Sequence, residues 1–450
     1  MSFVELKSAL SLTLVFVFRM LGLFMVLPVL ALFAEDLQGA TPATIGLAIG
    51  AYGFTQALLQ IPFGWLSDRF GRKPVILAGL LIFMAGSLLA AHATSIEGII
   101  AGRILQGAGA IAGAVTALLA DLTRDQHRTK AMAMIGIGIG LAFCIAMILG
   151  PLVSSFWGLS GLFLSNAVMA VAAMMVVLWL VPTPVHARRD LNCSVRTEGF
   201  KGVFANSQLL RHILGIFSLH FVLMALFVMV PGLIESSAGL APAQHGWVYL
   251  VVMIGSFCSV IPFIIYSERQ RRLKQCYSLA VALLILAFGL IWQGQFSSTI
   301  LYAGLFIFFA GFNFLEATLP SLVSKLSPAG TRGTAMGVYS TGQFLGAALG
   351  GSLGGLAMQH WGVSGVLVVC TIPAALWWCL SVTMKQPPYV STLVMALKPF
   401  GQNDTGAMSD RLAVVPGVRE VTILAEERTA YLKVDKKDLD WSALKHFGEC

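Results

Sequence analysis

Gly64-Trp65-Leu66-Ser67-Asp68-Arg69-Phe70-Gly71-Arg72-Lys73-Pro74 is a short charged stretch wedged between two apolar runs, 44–66 and 74–93. A bilayer core about 30 Å thick takes about 20 apolar residues as a helix, so the stretch reads as a tight loop between two membrane spans. The pattern recurs outward in both directions. Apolar segments fall at 10–33, 44–66, 74–93, 97–120, 129–156, 161–181, 209–234, 245–266, 275–293, 298–323, 332–358 and 363–384. Composition agrees: 57% of the 450 residues are hydrophobic and 11% charged, against about 25% charged in a soluble chain. That is too little charge to cover a water-facing surface of this size. The first segment is too long, and too weakly basic in front, for a cleaved signal peptide. The seven cysteines show no CxxC spacing, which gives neither a disulfide framework nor a thiolate metal site.

The net charge of +8 does not point to nucleic acid. Residues 1–385 hold 21 Lys/Arg and 12 Asp/Glu, whereas the tail holds 8 and 9. The surplus therefore lies among the hydrophobic segments, where basic residues set orientation. Loops after segments 2, 4, 6, 8 and 10 carry the cations, from Arg69, Arg72 and Lys73 through Arg124, Arg188, Arg269 and Arg272 to Lys325. Loops after segments 1, 3, 5, 7, 9 and 11 have no Lys or Arg and offer acids such as Glu35, Asp36, Glu97 and Glu235. Positive loops stay inside, so both termini are expected in the cytoplasm of a multi-pass protein of the inner membrane. The polar loop near 182–208 divides the segments six and six. The expected organisation is a six-helix bundle over 1–184, a linker over 185–208, a second bundle over 209–385 and a soluble domain over 389–450. The halves echo each other: YSERQRRLKQ follows segment 8 where the opening stretch follows segment 2, and segments 5 and 11 are both rich in glycine. Two related six-helix halves around a midplane site describe a secondary transporter.

In that setting the 64–74 loop resembles the loop 2–3 signature of the major facilitator superfamily. Arg103-Ile104-Leu105-Gln106-Gly107 resembles its second motif. Gly136 to Gly150-Pro151 resembles the antiporter motif in degraded form, because Ser154 and Ser155 stand where glycines usually follow the proline. The resemblance covers roughly residues 8–385. With its appended domain the whole chain is similar to the bacterial YajR-type transporter family. The resemblance implies that spans 1, 4, 7 and 10 line a central cavity. It also implies that Asp68 meets the start of span 11, near Thr331–Gly333, with Arg72 and Asp121 completing a charge cluster while the transporter opens outward. Arg69 and Lys73 belong to the same switch loop, and Gly64 and Gly71 are expected to permit its close approach and turn.

Ionisable groups in hydrocarbon cost at least about 2.5–3.5 kcal/mol each, so they face a cavity or a partner. Arg19, Arg103, His220 and Glu316 lie well inside segments 1, 4, 7 and 10. Charge alone thus selects the helices that the resemblance assigns to the cavity. Two readings stay open for each: Arg19 snorkels or meets a carbonyl end, Glu316 reaches water, and His220 is a satisfied core histidine, or all serve the pathway. Tyr52, Gln56 and Gln60 repeat at four-residue spacing on one face of span 2. Gln106 follows Arg103, Asn313 shares a face with Glu316, and Tyr339 and Gln343 share one on span 11. These polar residues either extend the cavity or tie helices together. Few charges among many aromatic and apolar surfaces suit amphipathic ligands better than polyanions. Gly136, Gly140, Gly150, Gly346 and Gly350, with Pro151, are expected to serve close helix packing.

After Lys385 the chain becomes an ordinary soluble sequence. Strand-like Tyr389–Leu397, helical Ser409–Val415, a hairpin of Val418–Leu424 and Thr429–Val434 around Glu426-Glu427-Arg428, and helical Leu439–Phe447 give the order β-α-β-β-α. This resembles a ferredoxin-like α+β fold, and VPGVREVTILAEERTAYLKVD (415–435) resembles the middle of a heavy-metal-associated domain. The first loop, from Lys398 to Gly406, has no cysteine, so no metal is expected. A last strand is expected to be absent or truncated, leaving a sheet edge for a protein or ligand contact. No phosphate-binding G-x-x-x-x-G-K-[ST] loop occurs. The expectation is a cofactor-free secondary transporter rather than an enzyme: a proton-coupled antiporter exporting small amphipathic or drug-like compounds. A membrane sensor acting through the tail, or a uniporter or importer, are the alternatives.

Overall fold

A computed structural model describes residues 1–182, 197–327, 332–387, 391–397, 405–424, 429–435 and 438–449. Half of the expected linker (185–196), Thr331, the 398–404 loop, the 426–428 turn and Cys450 lie outside these residues. Ten helices are long and apolar enough to cross a membrane among the described residues. Two of them, Asp125–Met175 and Arg332–Val382, each run 51 residues. At 1.5 Å per residue each would be more than twice as long as the hydrocarbon core is thick. Each is broken once by a glycine, Gly158 at φ 63°, ψ −167° and Gly362 at φ 59°, ψ −153°. Only glycine adopts such a conformation without strain. Each long helix is therefore two spans, and the total is twelve. Trp157-Gly158-Leu159-Ser160-Gly161 and Trp361-Gly362-Val363-Ser364-Gly365 mark equivalent places in the two halves.

The remaining spans follow chain order. Span 1 is Phe3–Phe24 continued by Leu27–Phe33, span 2 Pro42–Phe70, span 3 Arg72–Ala91, and span 4 Ile96–Ala108 continued by Ala112–Asp121. Spans 5 and 6 are the two parts of Asp125–Met175. Span 7 is Ser207–Ala238, span 8 His245–Arg269, span 9 Leu273–Gln293 and span 10 Ser298–Leu326. Spans 11 and 12 divide Arg332–Val382. A nine-residue helix, Thr197–Ala205, precedes the second half. Span 1 breaks ahead of Pro28, and span 4 at Gly109-Ala110-Ile111, where the intrahelical ladder is interrupted.

Among the described residues, the closest backbone contacts between the halves gather toward one side of the membrane. Gly46 and Gly50 of span 2 lie against the backbone of Gly351, Gly355 and Ala348 of span 11, and Gly53 lies against Phe344. Ala43 donates its amide to Gln359 Oε1 at 3.2 Å. Gly246 of span 8 approaches the Ile148 carbonyl of span 5. All these residues sit toward the face with acidic loops. Toward the basic face, a Cβ added to Gly64, Gly333 or Gly337 would meet nothing within 4 Å, and Leu58, Ile61 and Trp65 are exposed. The cleft between the halves opens to the basic face.

The C-terminal region has a separate core of Met395, Leu397, Leu412, Val415, Leu432, Val434 and Leu444. Its strands are β1 Ser391–Leu397, β2 Val418–Leu424, β3 Thr429–Val434 and β4 Gly448–Glu449, in the antiparallel order β2-β3-β1-β4. Helices Thr405–Ala413 and Trp441–Lys445 connect them, which completes the ferredoxin-like order. Of the two expected outcomes, absence or truncation, the described residues show the second: the last strand is two residues long and pairs with Ala396 and Leu397 of β1. This domain rests on the second half of the transporter. Arg271, in the loop between spans 8 and 9, donates to both oxygens of Asp435 at 2.7 and 3.0 Å. Lys433 donates to the Ser327 carbonyl at 2.9 Å, and Gln386 donates to the Arg271 carbonyl at 2.8 Å. Arg271 holds φ 51°, unusual for a side chain with a Cβ.

Candidate substrate and proton pathway

Two polar networks stand in the membrane, one in each half. In the first half, Arg19 of span 1 and Arg103 of span 4 flank Tyr52 of span 2, with guanidinium carbons 5.5 and 4.9 Å from the ring centroid. Arg19 also lies 4.6 Å over the Phe83 ring. It donates to Gln56 Oε1 at 2.9 Å and to the Gln106 carbonyl at 3.5 Å, in the last turn before the break in span 4. Gln56 in turn donates to Gln60 Oε1 at 3.0 Å. Arg103 donates to Gln106 Oε1 at 3.0 Å and to the Ala48 carbonyl at 3.3 Å, while Gln106 donates to Ser87 Oγ at 2.8 Å. The four-residue spacing on span 2 is what stacks Tyr52, Gln56 and Gln60 on one face. Ser87 and Phe83, both on span 3, complete the network, and neither stands out in the sequence. A lone serine or phenylalanine in an apolar run carries no signal.

In the second half, spans 7, 10 and 11 bring His220, Glu316 and Gln343 together. The Gln343 amide nitrogen is 2.8 Å from His220 Nε2 and donates at 3.5 Å to Glu316 Oε1. With Nε2 accepting from Gln343, the neutral ring carries its proton on Nδ1, the atom 3.9 Å from Glu316 Oε2. Glu316 Oε2 and the buried Tyr339 hydroxyl have no hydrogen-bond partner among the described residues. The Glu316 side chain is 34% exposed, whereas that of His220 is 8% exposed. Asn313 is not part of this cluster. Its amide donates to Ser256 Oγ of span 8 at 3.0 Å, so it ties span 10 to span 8. Phe143 of span 5 stacks near Phe312, which itself lies beside His220.

The loop quoted at the outset forms its charge cluster inside the first half. Arg72 bonds to Asp68 and lies 3.2 Å from Asp121 Oδ2. Lys73 donates to the Val181 carbonyl at the end of span 6 at 2.5 Å. Arg69 stacks near Trp65 and Phe70. Gly71 turns the chain at φ 97°, but Gly64 approaches nothing. Asp68 bonds to Arg72; its expected contact with the start of span 11 falls partly on Thr331, outside the described residues, and a Cβ added to Gly333 would meet nothing within 4 Å. A second tether was missed: Glu5 accepts from the Arg124 backbone and guanidinium at 3.0–3.2 Å and closes a capping box with Ser2. The S-x-x-E pattern at residues 2–5 was its sequence signal.

The expected packing glycines divide. Gly346 and Gly350 lie against the carbonyls of Phe217 and Phe221 on span 7, and Gly150, next to Pro151, against that of Met25. Gly136 and Gly140 do not pack as expected, since a Cβ at either would meet nothing within 4 Å. They share a face at four-residue spacing, and Gly138, turned to the other side, packs on Thr13 and Val17.

The profile of the Major Facilitator Superfamily matches residues 12–351 and again 213–403. The chain belongs to the major facilitator superfamily. The YajR YAM domain profile matches residues 399–443, within the ferredoxin-like region. The inner membrane transport protein YajR of Escherichia coli K12 is 49% identical over 423 residues, covering 94% of this chain and 93% of that protein. The multidrug resistance protein MdtH of Aeromonas salmonicida is 27% identical over 76% of this chain and 85% of its own. Two solved transporter structures share the fold. A D-xylose–proton symporter has TM-score 0.67 at 14% identity, covering 86% and 97% of the two chains. A bacterial homologue of the lysosomal transporter Spinster, inward-facing and occupied, has TM-score 0.64 at 15% identity, covering 83% and 96%. This superfamily member is accordingly a multi-pass transporter of the inner membrane.

Proposed function

We propose that this transporter is a proton-coupled antiporter that exports small amphipathic compounds by alternating access, with the basic face and both termini in the cytoplasm. The orientation rests on the distribution of Lys and Arg among the loops. In that orientation the described state opens inward. The observation that carries the coupling is the His220–Gln343–Glu316 cluster, where a partly exposed carboxylate meets a histidine across 3.9 Å deep in the membrane. Uphill movement driven by protons needs a group whose charge changes as the cleft switches sides. Arg19 and Arg103 stay charged, so among the deep residues Glu316 and His220 remain. Protonation of Glu316 removes a charge from a low-dielectric wall, which favours the halves closing over it. Kinship with a multidrug resistance protein and a mostly apolar, aromatic cleft support amphipathic cargo.

The domain docked through Arg271 and Asp435 supports a modulating role for the C-terminal region on the second half. The test is a proteoliposome with an internal pH dye. Glu316→Gln is expected to abolish substrate-dependent proton flux while downhill substrate exchange survives. Full proton-driven accumulation in both Glu316→Gln and His220→Ala would sink the coupling assignment.

A further inference from the structure

The first-half network contains a charge imbalance that proton coupling does not use. Arg19 and Arg103 are 3% and 0% exposed. Every acceptor they reach is a neutral oxygen: the Gln56 and Gln106 side chains and the Ala48 and Gln106 carbonyls. No carboxylate lies within ion-pair distance of either among the described residues, and Arg103 Nη2 has no partner at all. The sequence offers none nearby, because between Asp36 and Asp121 the acids are Asp68 and Glu97, both at the ends of spans. An arginine cannot shed its charge. The interrupted end of the span 4 helix near Gln106 supplies roughly half a negative charge, which leaves more than one positive charge around Tyr52.

A standing positive charge of this kind, walled by Tyr52 and Phe83, matches one ligand chemistry. We infer that the Arg19–Arg103 pair is the acid-group subsite of the transported compound, which is an amphipathic organic anion bearing a carboxylate. This rests on the transport reading above and narrows its substrate class. A planar carboxylate fits the guanidinium fork with two parallel bonds, and Arg103 Nη2 is the free donor. Gln56 holds Arg19 by one neutral bond, which a carboxylate would replace with a charge-assisted one. A polyanion is disfavoured, since the pair supplies little more than one uncompensated charge.

The probes are 1-pyrenebutyrate, 1-pyrenebutanol and 1-pyrenebutylamine, which share one apolar body and differ in the terminal group. Binding to the full-length purified transporter is measured by fluorescence, and counterflow is measured in liposomes. The butyrate is expected to bind at least about tenfold more tightly than the butanol, as suits charge-assisted hydrogen bonds. Arg103→Gln and Arg19→Gln should each bring the butyrate-to-butanol ratio to about one. Arg103→Lys should retain part of the preference, because the charge persists without the fork. The wild-type comparison needs no variant, so misfolding of a substituted chain does not blunt it. Equal binding of butyrate and butanol by the wild type, or a ratio that survives both glutamine substitutions, overturns the inference. Counterflow of butanol or butylamine in preference to butyrate overturns it while leaving transport intact. No binding or movement of any of the three overturns it together with the amphipathic-transport reading.

Discussion

Gly50→Ala is expected to shift the protein out of the state described. Gly50 lies where spans 2 and 11 close the acidic face, and an added Cβ would meet the Ala348 carbonyl and, at 2.7 Å, Ser352 Oγ. The first obstacle is backbone, which cannot rotate aside, so the helices must part. Overpacking of a fitted contact costs about 1–3 kcal/mol. The penalty falls only on the state in which the acidic face is closed, because in the opposite state these helices separate. The whole cost therefore enters the equilibrium between the two states, about a 5- to 150-fold change in their ratio toward the form open at the acidic face. Spin labels replacing Ala43 and Gln359, whose groups are 3.2 Å apart here, would report it as a longer distance population in double electron–electron resonance. Gly136→Ala, with nothing within 4 Å of its Cβ, is the control that should leave the distribution alone. An unchanged distance distribution in Gly50→Ala, in protein that remains monodisperse, would refute the argument that this seam is a steric contact between moving halves.

Three further outcomes follow from the geometry. Asp68→Asn should leave expression intact and slow transport, because it removes the acid that holds Arg72 in this state and is available to span 11 in the other; an unchanged transport rate in liposomes would count against it. Deleting residues 389–450 should leave an inserted transporter, since the domain has its own core, and Asp435→Asn in the whole chain should raise hydrogen exchange of the domain against the 8–9 loop without changing insertion. Aggregation of the truncated chain at every expression level would show the two parts to be inseparable. Asp440 accepts from Ser442 and Ala443 at the start of the last helix, and these bonds hold its carboxyl below the usual carboxylate range. Its folded-state value is depressed, so its support is present at neutral pH and is lost as pH falls through that lowered value; exchange of 441–445 should rise on acidification in the wild type and be high at all pH in Asp440→Ala.

The number of spans, the sidedness of the loops and the four deep ionisable residues were legible in the chain, because each follows from a local quantity. Bilayer thickness sets a run length, positive loops set a direction, and the cost of charge in hydrocarbon makes Arg19, Arg103, His220 and Glu316 conspicuous one at a time. Alternation of apolar residues likewise placed the two hairpin strands at Val418–Leu424 and Thr429–Val434. What periodicity could not reveal is which partners those residues have across helices far apart in sequence. Gln343 joins His220 from 123 residues away, Asn313 turns to Ser256 rather than to its neighbour Glu316, and Gly138 packs where Gly136 and Gly140 do not. Helix rotation decides these, and it is set by the sum of many weak contacts in the assembled bundle. The same holds for the state of the molecule. Two packings of one chain differ by only a few kcal/mol, so only the assembled tertiary structure discloses that the glycine seam of spans 2 and 11 is the closed one.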